Sequence, residues 1–334
     1  MAKLRVLLIG CGYIAQAEHI GNWTQSRKGK LVGVVDTREG LARQTGETLG
    51  IPWFTDAGQA LHDCDCDAVH ICSTANSHPD LIRLAARAGR HVLVEKPLAN
   101  DSRAAADALQ AARNARVVVM VGYQRVFDSD LIELGRRIAR GELGNIIGVA
   151  SVWKLSLPPV YEAIGQWPRT YQPFKEMKGA PLLRHRLLDQ SIHHLNLFRK
   201  WLGDAVRVDA VQSAGPLWHI TLTFGRGIPA WHTNASQVAH GEEFWVYGEE
   251  GCYYATPWSP HFPWTFGYSQ VTRRGTGEVV IPAVARKNPY LAQIDEFASS
   301  IEEHRTPLAD AMDAVEDIRL VERIVATFEA SHTG

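Results

Sequence analysis

The stretch HVLVEKPLAN, residues 91–100, ends an apolar run on Glu95 and Lys96 and follows them at once with Pro97. A carboxylate and an ammonium at the mouth of a strand are acid–base groups. Pro97 holds Lys96 to an extended or turn backbone, which directs the lysine side chain. A second constellation is Asp189, His193 and Asn196. At i, i+4 and i+7 these share one helix face, where the carboxylate can orient the imidazole and raise its basicity. Imidazole titrates near neutral pH and suits a general base. His185 extends the same spacing by four residues. No fourth ligand or catalytic-zinc pattern accompanies it, and no metal is expected.

A third group is the turn LIGCGYIA, with Gly10, Gly12 and Ala15 in a G-x-G-x-x-A pattern directly behind an apolar strand. The first glycine permits a tight turn and the second lets the backbone approach a pyrophosphate. Ala15 lets the following helix pack close. Gly10, Gly12, Tyr13 and Ile14 are therefore candidates to cradle a dinucleotide. Asp36 closes the next strand at the remove expected of an acid that binds ribose hydroxyls. It favours NAD and repels a 2′-phosphate, whereas Arg38 can accommodate that phosphate. NAD is the expected cofactor, with NADP as the alternative.

These residues need elements to position them. The first 122 residues alternate β-branched runs (LRVLLIG, LVGVVD, DAVHICS, HVLVEK, VVVMVG) with helical stretches such as HPDLIRLAARAG. That alternation predicts an α/β Rossmann domain over 1–122, a doubly wound parallel sheet covered on both faces. Ligands of such sheets bind beyond the carboxyl ends of the strands, where Ser73, Thr74, Asn76 and His78 follow AVHIC. Glu95 and Lys96 emerge at that same edge, over the nicotinamide. A lysine partly desolvated beside that positive ring suits proton transfer. Over 123–334 longer strands alternate with Gly-rich turns such as GRG and GEEG, and amphipathic helices near 290–304 and 310–331 close the chain. A substrate-binding and oligomerisation α+β domain with a large open, mostly antiparallel sheet is expected there.

The bulk numbers agree. The chain has 334 residues, 46% hydrophobic, with a formal net charge of −1, which suits two domains and gives no reason for nucleic acid or an anionic membrane as partner. Five scattered cysteines read as reduced thiols. With no leader-like segment and no apolar run of membrane-spanning length, a cytoplasmic protein is expected.

The stretches GCGYIA, VEKPLA at 94–99, VGYQRVFDSDLIELGRRIARGELG at 121–144, LLDQSIHHLNLFRKWLG at 187–203, EFWVYGEEGCYYAT at 243–256 and the helical tail carry a resemblance. Almost end to end, the chain resembles the glucose–fructose oxidoreductase / inositol dehydrogenase / rhizopine catabolism (Gfo/Idh/MocA) oxidoreductases. The resemblance implies that Lys96 contacts cofactor and substrate and that the Lys96–Pro97 peptide is cis. It counts Gln124 with the cofactor contacts, makes His193 the base, and has Asp189 support it or bind a neighbouring hydroxyl. The implied reaction is hydride transfer between NAD(P) and a secondary hydroxyl or ketone of a sugar, sugar derivative or inositol.

The chain also departs from that pattern. The approach to the catalytic helix is GAPLLRHRLLDQ rather than Gly-rich, and Asn196 stands where an Asp is usual. Arg184 and Arg186 would reach toward the substrate, suiting a carboxylate or phosphate, or are simply solvated. Eight of the ten tryptophans lie beyond residue 150, and Trp153 and Trp167 are candidate sugar platforms. The aromatic strands WHTNAS and EEFWVY predict a sheet face that needs cover, and hence a homodimer or homotetramer through the C-terminal sheet, as the resemblance also implies. Two other functions use the same parts. One is an NAD-assisted glycoside hydrolase working by transient oxidation and elimination; the other is a non-catalytic nucleotide or sugar sensor, which would need neither Lys96 nor His193.

Overall fold

A computed structural model describes residues 3–155, 179–236, 241–258 and 267–332. The chain forms two compact units. Of the described residues, the first holds those up to Gln124 together with Tyr290–Ile318, and the second holds 125–155, 179–289 and those from Arg319 on.

In the first unit, β1 (Leu4–Ile9), β2 (Gly29–Val35), β3 (Trp53–Phe54), β4 (Ala68–Ile71), β5 (His91–Val94) and β6 (Val119–Val121) lie in the order β3-β2-β1-β4-β5-β6. Every pair is parallel. β4 and β6 are buried throughout, which is why they read as unbroken apolar runs rather than alternating ones. Helices α1 (Ile20–Gln25), α2 (Glu39–Leu49), α3 (Ala57–Asp63), α4 (His78–Arg87) and α5 (Ser102–Asn114) connect them. Asp56 and Asp101 cap α3 and α5, accepting from the Gln59 and Ala104 amides at 2.7 and 2.8 Å. The strand order reverses between β1 and β4, the switch point at which such sheets hold ligands.

In the second unit, β7 (Ile146–Leu155), β8 (Ala205–Ala214), β9 (Leu217–Phe224), β10 (Pro229–Ser236), β11 (Gly241–Gly248), β12 (Gly251–Thr256), β13 (Tyr268–Arg273) and β14 (Val279–Val280) form one sheet. Its order is β14-β13-β12-β11-β7-β10-β9-β8, antiparallel except where β7 meets β10. Burial alternates residue by residue along β9 and β12, the mark of a sheet with one covered face. Helices α6 (Ser129–Ala139), α7 (Gly179–Arg186) and α8 (Ile192–Leu202) follow the chain order. The α8 side chains Phe198 and Trp201 meet Phe224 and Phe244 of the covered face at 6.4 and 5.9 Å between ring centroids.

One part of the organisation differs from a single cut at 122/123. The segment Tyr290–Ile318, with most of α9 (Pro289–Glu302) and the start of α10 (Ala311–His332), belongs to the first unit. The Val121 amide donates to the Ala309 carbonyl at 3.1 Å, and Ser26 donates to Asp295 at 2.8 Å. Helical periodicity announces an apolar face but does not say which sheet will cover it.

Candidate functional site

The nucleotide turn begins where β1 ends. Gly10 has φ +97°, and a Cβ there would lie 2.7 Å from both the carbonyl carbon of Cys72 and the nitrogen of Ser73, so only glycine lets β1 and β4 approach so closely. Its amide donates to the Val35 carbonyl at 2.7 Å, and the Cys11 amide donates to Asp36 Oδ2 at 2.9 Å. The acid at the end of β2 is thereby tied to the turn. Gly12, Tyr13 and Ile14, all half-buried, lead into a π-turn, Ala15–His19, and then α1. Burial pushes the Asp36 carboxyl up. The hydrogen bonds from Arg38 and the Cys11 amide outweigh it, and the group stays below the usual carboxylate range. A turn closed to side chains, a helix start and an ionised acid fit a dinucleotide.

Beyond β4, Ser73 is half-buried while Thr74 and Asn76 are exposed and joined by a 2.6 Å hydrogen bond. The side chains of His78 and Glu95 turn inward. The His78 ring is buried, its Nδ1 facing the Pro97 carbonyl at 2.8 Å and its Nε2 the Ser73 carbonyl at 3.1 Å, so it clamps the backbone. Glu95 is 5% exposed and turns beneath the sheet, where Oε1 meets His19 Nε2 at 2.7 Å and Oε2 accepts from the Lys96 amide at 3.1 Å. Burial pushes this carboxyl up, but the hydrogen bond and charge of His19, together with Lys96, hold it below the usual range. Lys96 is half-buried and the Lys96–Pro97 peptide is cis. Gln124, 7% exposed, opens a 3-10 turn, Gln124–Phe127, behind β6. His19 escaped the reading of the sequence. A histidine just past a nucleotide turn is visible there, but its partner is 76 residues away.

In the second unit, α7 and α8 are joined by a π-turn, Leu187–Ser191, which carries Asp189. The extra residue in that turn means that Asp189 and His193 do not sit on a plain α-helical i, i+4 face; π-turns of this kind are frequent at functional sites. Asn234 of β10 pins the turn by donating to Gln190 Oε1 at 3.0 Å and Ser191 Oγ at 3.1 Å. His193, 2% exposed, lies parallel to the Trp153 indole of β7, with centroids 6.5 Å apart and planes at 15°. Arg186 ties two strands together. Its guanidinium donates to the Pro216 carbonyl at 3.0 Å and to Ser236 Oγ at 2.7 Å, strapping the start of β9 to the end of β10. Arg184 faces Glu322 at 3.7 Å. Trp167 lies outside the described residues.

A buried charge cluster also went unseen in the sequence. Arg125 donates through Nε to Glu242 Oε2 at 2.9 Å, pairs through Nη2 with the other oxygen, and reaches the Trp258 carbonyl at 2.9 Å. His194 Nε2 adds a 3.2 Å contact to Glu242. Burial pushes Glu242 up, but Arg125 and His194 hold it far below the usual carboxylate range.

The pattern described as "Oxidoreductase family, NAD-binding Rossmann fold" matches residues 4–123, and that described as "Oxidoreductase family, C-terminal alpha/beta domain" matches residues 136–333. The chain belongs to the Gfo/Idh/MocA oxidoreductase family. This Gfo/Idh/MocA protein is 27% identical over 354 aligned residues to scyllo-inositol 2-dehydrogenase (NAD(+)) of Bacillus subtilis (strain 168), covering 97% of the chain and 93% of that relative. It is 24% identical to D-xylose 1-dehydrogenase (NADP(+)) 2 of Haloferax volcanii, over 93% of the chain and 92% of the relative. The crystal structure of aldose-aldose oxidoreductase from Caulobacter crescentus, complexed with glycerol, shares the fold with a TM-score of 0.82 at 23% identity, over 99% of each chain. The protein is thus an oxidoreductase of the NAD(P)-dependent sugar and polyol class, and its first unit is an NAD-binding Rossmann domain. Among the described residues no helix is long and apolar enough to cross a membrane.

Proposed function

We propose that the enzyme oxidises a secondary hydroxyl, or reduces the matching ketone, of a ring polyol (a sugar, sugar derivative or inositol), with Lys96 and His193 as its acid–base residues. The observation that carries this reading is the parallel pair of Trp153 and His193. An aromatic face of this kind suits the C–H face of a pyranose or cyclitol, and the imidazole beside it suits a hydroxyl proton. The similar enzymes named for scyllo-inositol and D-xylose point to the same substrate class.

A nicotinamide coenzyme bound at the glycine turn supplies the hydride acceptor or donor. Gly10, Gly12, Tyr13 and Ile14 would hold its pyrophosphate and Asp36 its ribose hydroxyls, so that NAD is preferred; Ser73, Thr74, Asn76 and Gln124 complete the proposed contacts. In the oxidative direction the carbon gives up its C–H electron pair as hydride. The hydroxyl O–H bond breaks, its proton passes to the His193 imidazole, and the C–O bond becomes a carbonyl. Asp189 supports that imidazole or binds a neighbouring hydroxyl, and Lys96 supplies an ammonium donor. The test is near-UV absorbance of reduced nicotinamide with NAD or NADP and a panel of inositols, neutral pyranoses, glycosides and uronic acids. Growth of signal with one polyol, abolished in Lys96→Ala and His193→Ala, is expected. Silence across the panel with coenzyme bound would sink this reading in favour of the hydrolase or the sensor.

We also propose a homodimer or homotetramer through the outer face of the second sheet. Thr221, Trp231, Ala150, Trp245, Tyr254 and Gln270 pair in turn across six strands, laying a row of large aromatics along that face. Light scattering should give a multiple of the chain mass, reduced to one chain in Trp245→Glu; a wild-type monomer would end the idea. Five free cysteines fit action in a reducing cytoplasm.

A further inference from the structure

The first unit holds a cavity at the opposite edge of its sheet from the nucleotide turn. His91 opens β5 and Val119 opens β6, and both line a space of about 370 Å³ at the amino ends of those strands. All of its lining residues belong to that unit. The volume lies at the small end of the range for ligand pockets. Its floor is apolar: Leu109 and Ala112 of α5, with Val119 and Ala311, are all buried. Its rim is basic, because Arg113, Arg116 and His304 line it and are exposed.

The rim residues sit on two helix ends of the same construction. After α5 the Arg116 amide donates to the Arg113 carbonyl and the Val117 amide to the Ala112 carbonyl, at 3.0 and 3.1 Å. After α9 the His304 amide donates to the Ile301 carbonyl and the Arg305 amide to the Ser300 carbonyl, at 3.3 and 3.0 Å. This double closure needs a residue in the left-handed region, and α4 and α6 supply Gly89 and Gly141 there. Arg116 and His304 take that conformation, with φ +57° and +51°, despite their side chains. Among the described residues only Arg226 otherwise has a positive φ without being glycine. Arg113 already places a positive charge in the last turn of α5, so the helix dipole does not call for a second one at a strained position.

The charges around the cavity are unevenly matched. Arg305 is closed on Glu296 at 2.6 and 2.8 Å and on Glu303 at 2.6 Å, while Asp310 accepts from the Met312 amide at 3.3 Å. Arg113 and Arg116 hold no ion pair among the described residues. His91 Nδ1 accepts from the Val118 amide at 3.0 Å, so the neutral ring carries its proton on Nε2 and adds a donor. We propose that this cavity is a second ligand site, for a small organic anion whose carboxylate or phosphate monoester meets Arg113 and Arg116 and whose apolar body rests on Leu109, Ala112 and Val119. Guanidinium groups match both head groups in geometry and charge, and the apolar floor gives the body a place to leave water.

The test is calorimetric titration of the whole protein with benzoate and with phenyl phosphate, with NADH in excess so that the nucleotide turn is filled. It needs no polyol. One or both anions should bind one to one, and the tighter of them names the head group. Inorganic phosphate lacks the apolar body and benzyl alcohol lacks the charge, and each should bind about tenfold or more weakly by comparison. The double variant Arg113→Gln/Arg116→Gly should lose about tenfold or more in affinity for the anion. Its unfolding midpoint should hold or rise, since glycine suits the left-handed position. Equal binding by variant and wild type overturns the proposal. So does a lack of saturation by either anion at about 10 mM, or inorganic phosphate binding as tightly as phenyl phosphate. If the variant does not fold, 4-bromobenzoate soaked into crystals locates the site by bromine anomalous scattering. Bromine over Val119, between the ends of α5 and α9, supports the proposal; bromine found only elsewhere overturns it.

Discussion

Arg38 closes on Asp36 with both ends of its guanidinium, Nε to Oδ1 at 2.8 Å and Nη2 to Oδ2 at 2.9 Å. The pair is asymmetric, since the arginine side chain is 51% exposed and the aspartate 5%. The acid is fixed in place by the Cys11 amide, while the arginine can swing toward solvent or a phosphate. Replacing Asp36→Ser removes a charged hydrogen-bond acceptor for the ribose and releases Arg38. NADH affinity should fall by about 1.5–3 kcal/mol, roughly 10- to 100-fold, while NADPH binding improves. Fluorescence titration with both coenzymes checks this. An unchanged preference would show that another group discriminates.

Gly10→Ala meets backbone on two sides, the Cys72 carbonyl carbon and the Ser73 nitrogen, neither of which can rotate away. With φ at +97° the strain adds to the clash, and a loss of about 1–3 kcal/mol or more is expected, together with loss of coenzyme binding. Gly40→Ala is the control. It lies in the first turn of α2 with nothing within 4 Å, and it should be neutral or stabilise by up to ~1 kcal/mol. Denaturant midpoints that rank the two variants the other way would refute the argument.

Glu242→Gln takes from the Arg125 guanidinium, 3% exposed at the side chain, the nearer of two buried carboxylates; Asp128 stays 3.9 Å from Nη1. Removing one partner of such a pair costs about 3–5 kcal/mol, far more than the pair contributes as a whole. A double replacement of Arg125 and Glu242 by apolar residues of similar volume should therefore recover much of what the single variant loses. Equal losses in the single and double variants would show that the cost is packing, not charge.

Stability should fall as pH drops. His70, His194 and His232 are fully buried, and burial lowers each below its ordinary 6.5. Between those lowered values and about 6.5 the unfolded chain binds protons that the native state refuses, so their contribution is complete above that pH and is lost below it. Glu95 and Glu242, also lowered, add a second loss as pH falls through the carboxylate range. Asp128 works in the opposite sense, because burial raises it to about 6 and its protonation favours the native state. Unfolding midpoints across a pH series should be flat from neutrality to about pH 8 and decline below about pH 6.5, and they should decline again above about pH 9, where burial keeps the Cys11, Cys66 and Cys72 thiols protonated in the native state only. A profile flat into the acid range would mean that these histidines are solvated.

Much of the fold was legible because it is local. The glycine turn, the apolar strands of the parallel sheet and the alternating strands of the second sheet each announce themselves within a few residues, since backbone conformation and one-sided burial act over that range. The place of Asp36, one strand after the turn and tied to it by the Cys11 amide, was legible for the same reason. The inward roles of His78 and Glu95 were not, because a polar residue at a strand end looks the same whether it meets solvent, a ligand or another side chain.

The sequence by itself determined which chemical groups are present and where along the chain they fall: glycines at a nucleotide turn, a lysine held by proline, an aspartate and a histidine four residues apart, which the structure divides between a π-turn and the helix after it. Tertiary structure alone decided whom they meet. His19 finds Glu95 across 76 residues and Arg125 finds Glu242 across 117. The segment after Pro289 joins the first unit rather than the sheet that precedes it in the chain. Hydrogen bonds and ion pairs depend on distances of a few ångströms, and those distances are set by packing between elements whose separation along the chain carries no such information.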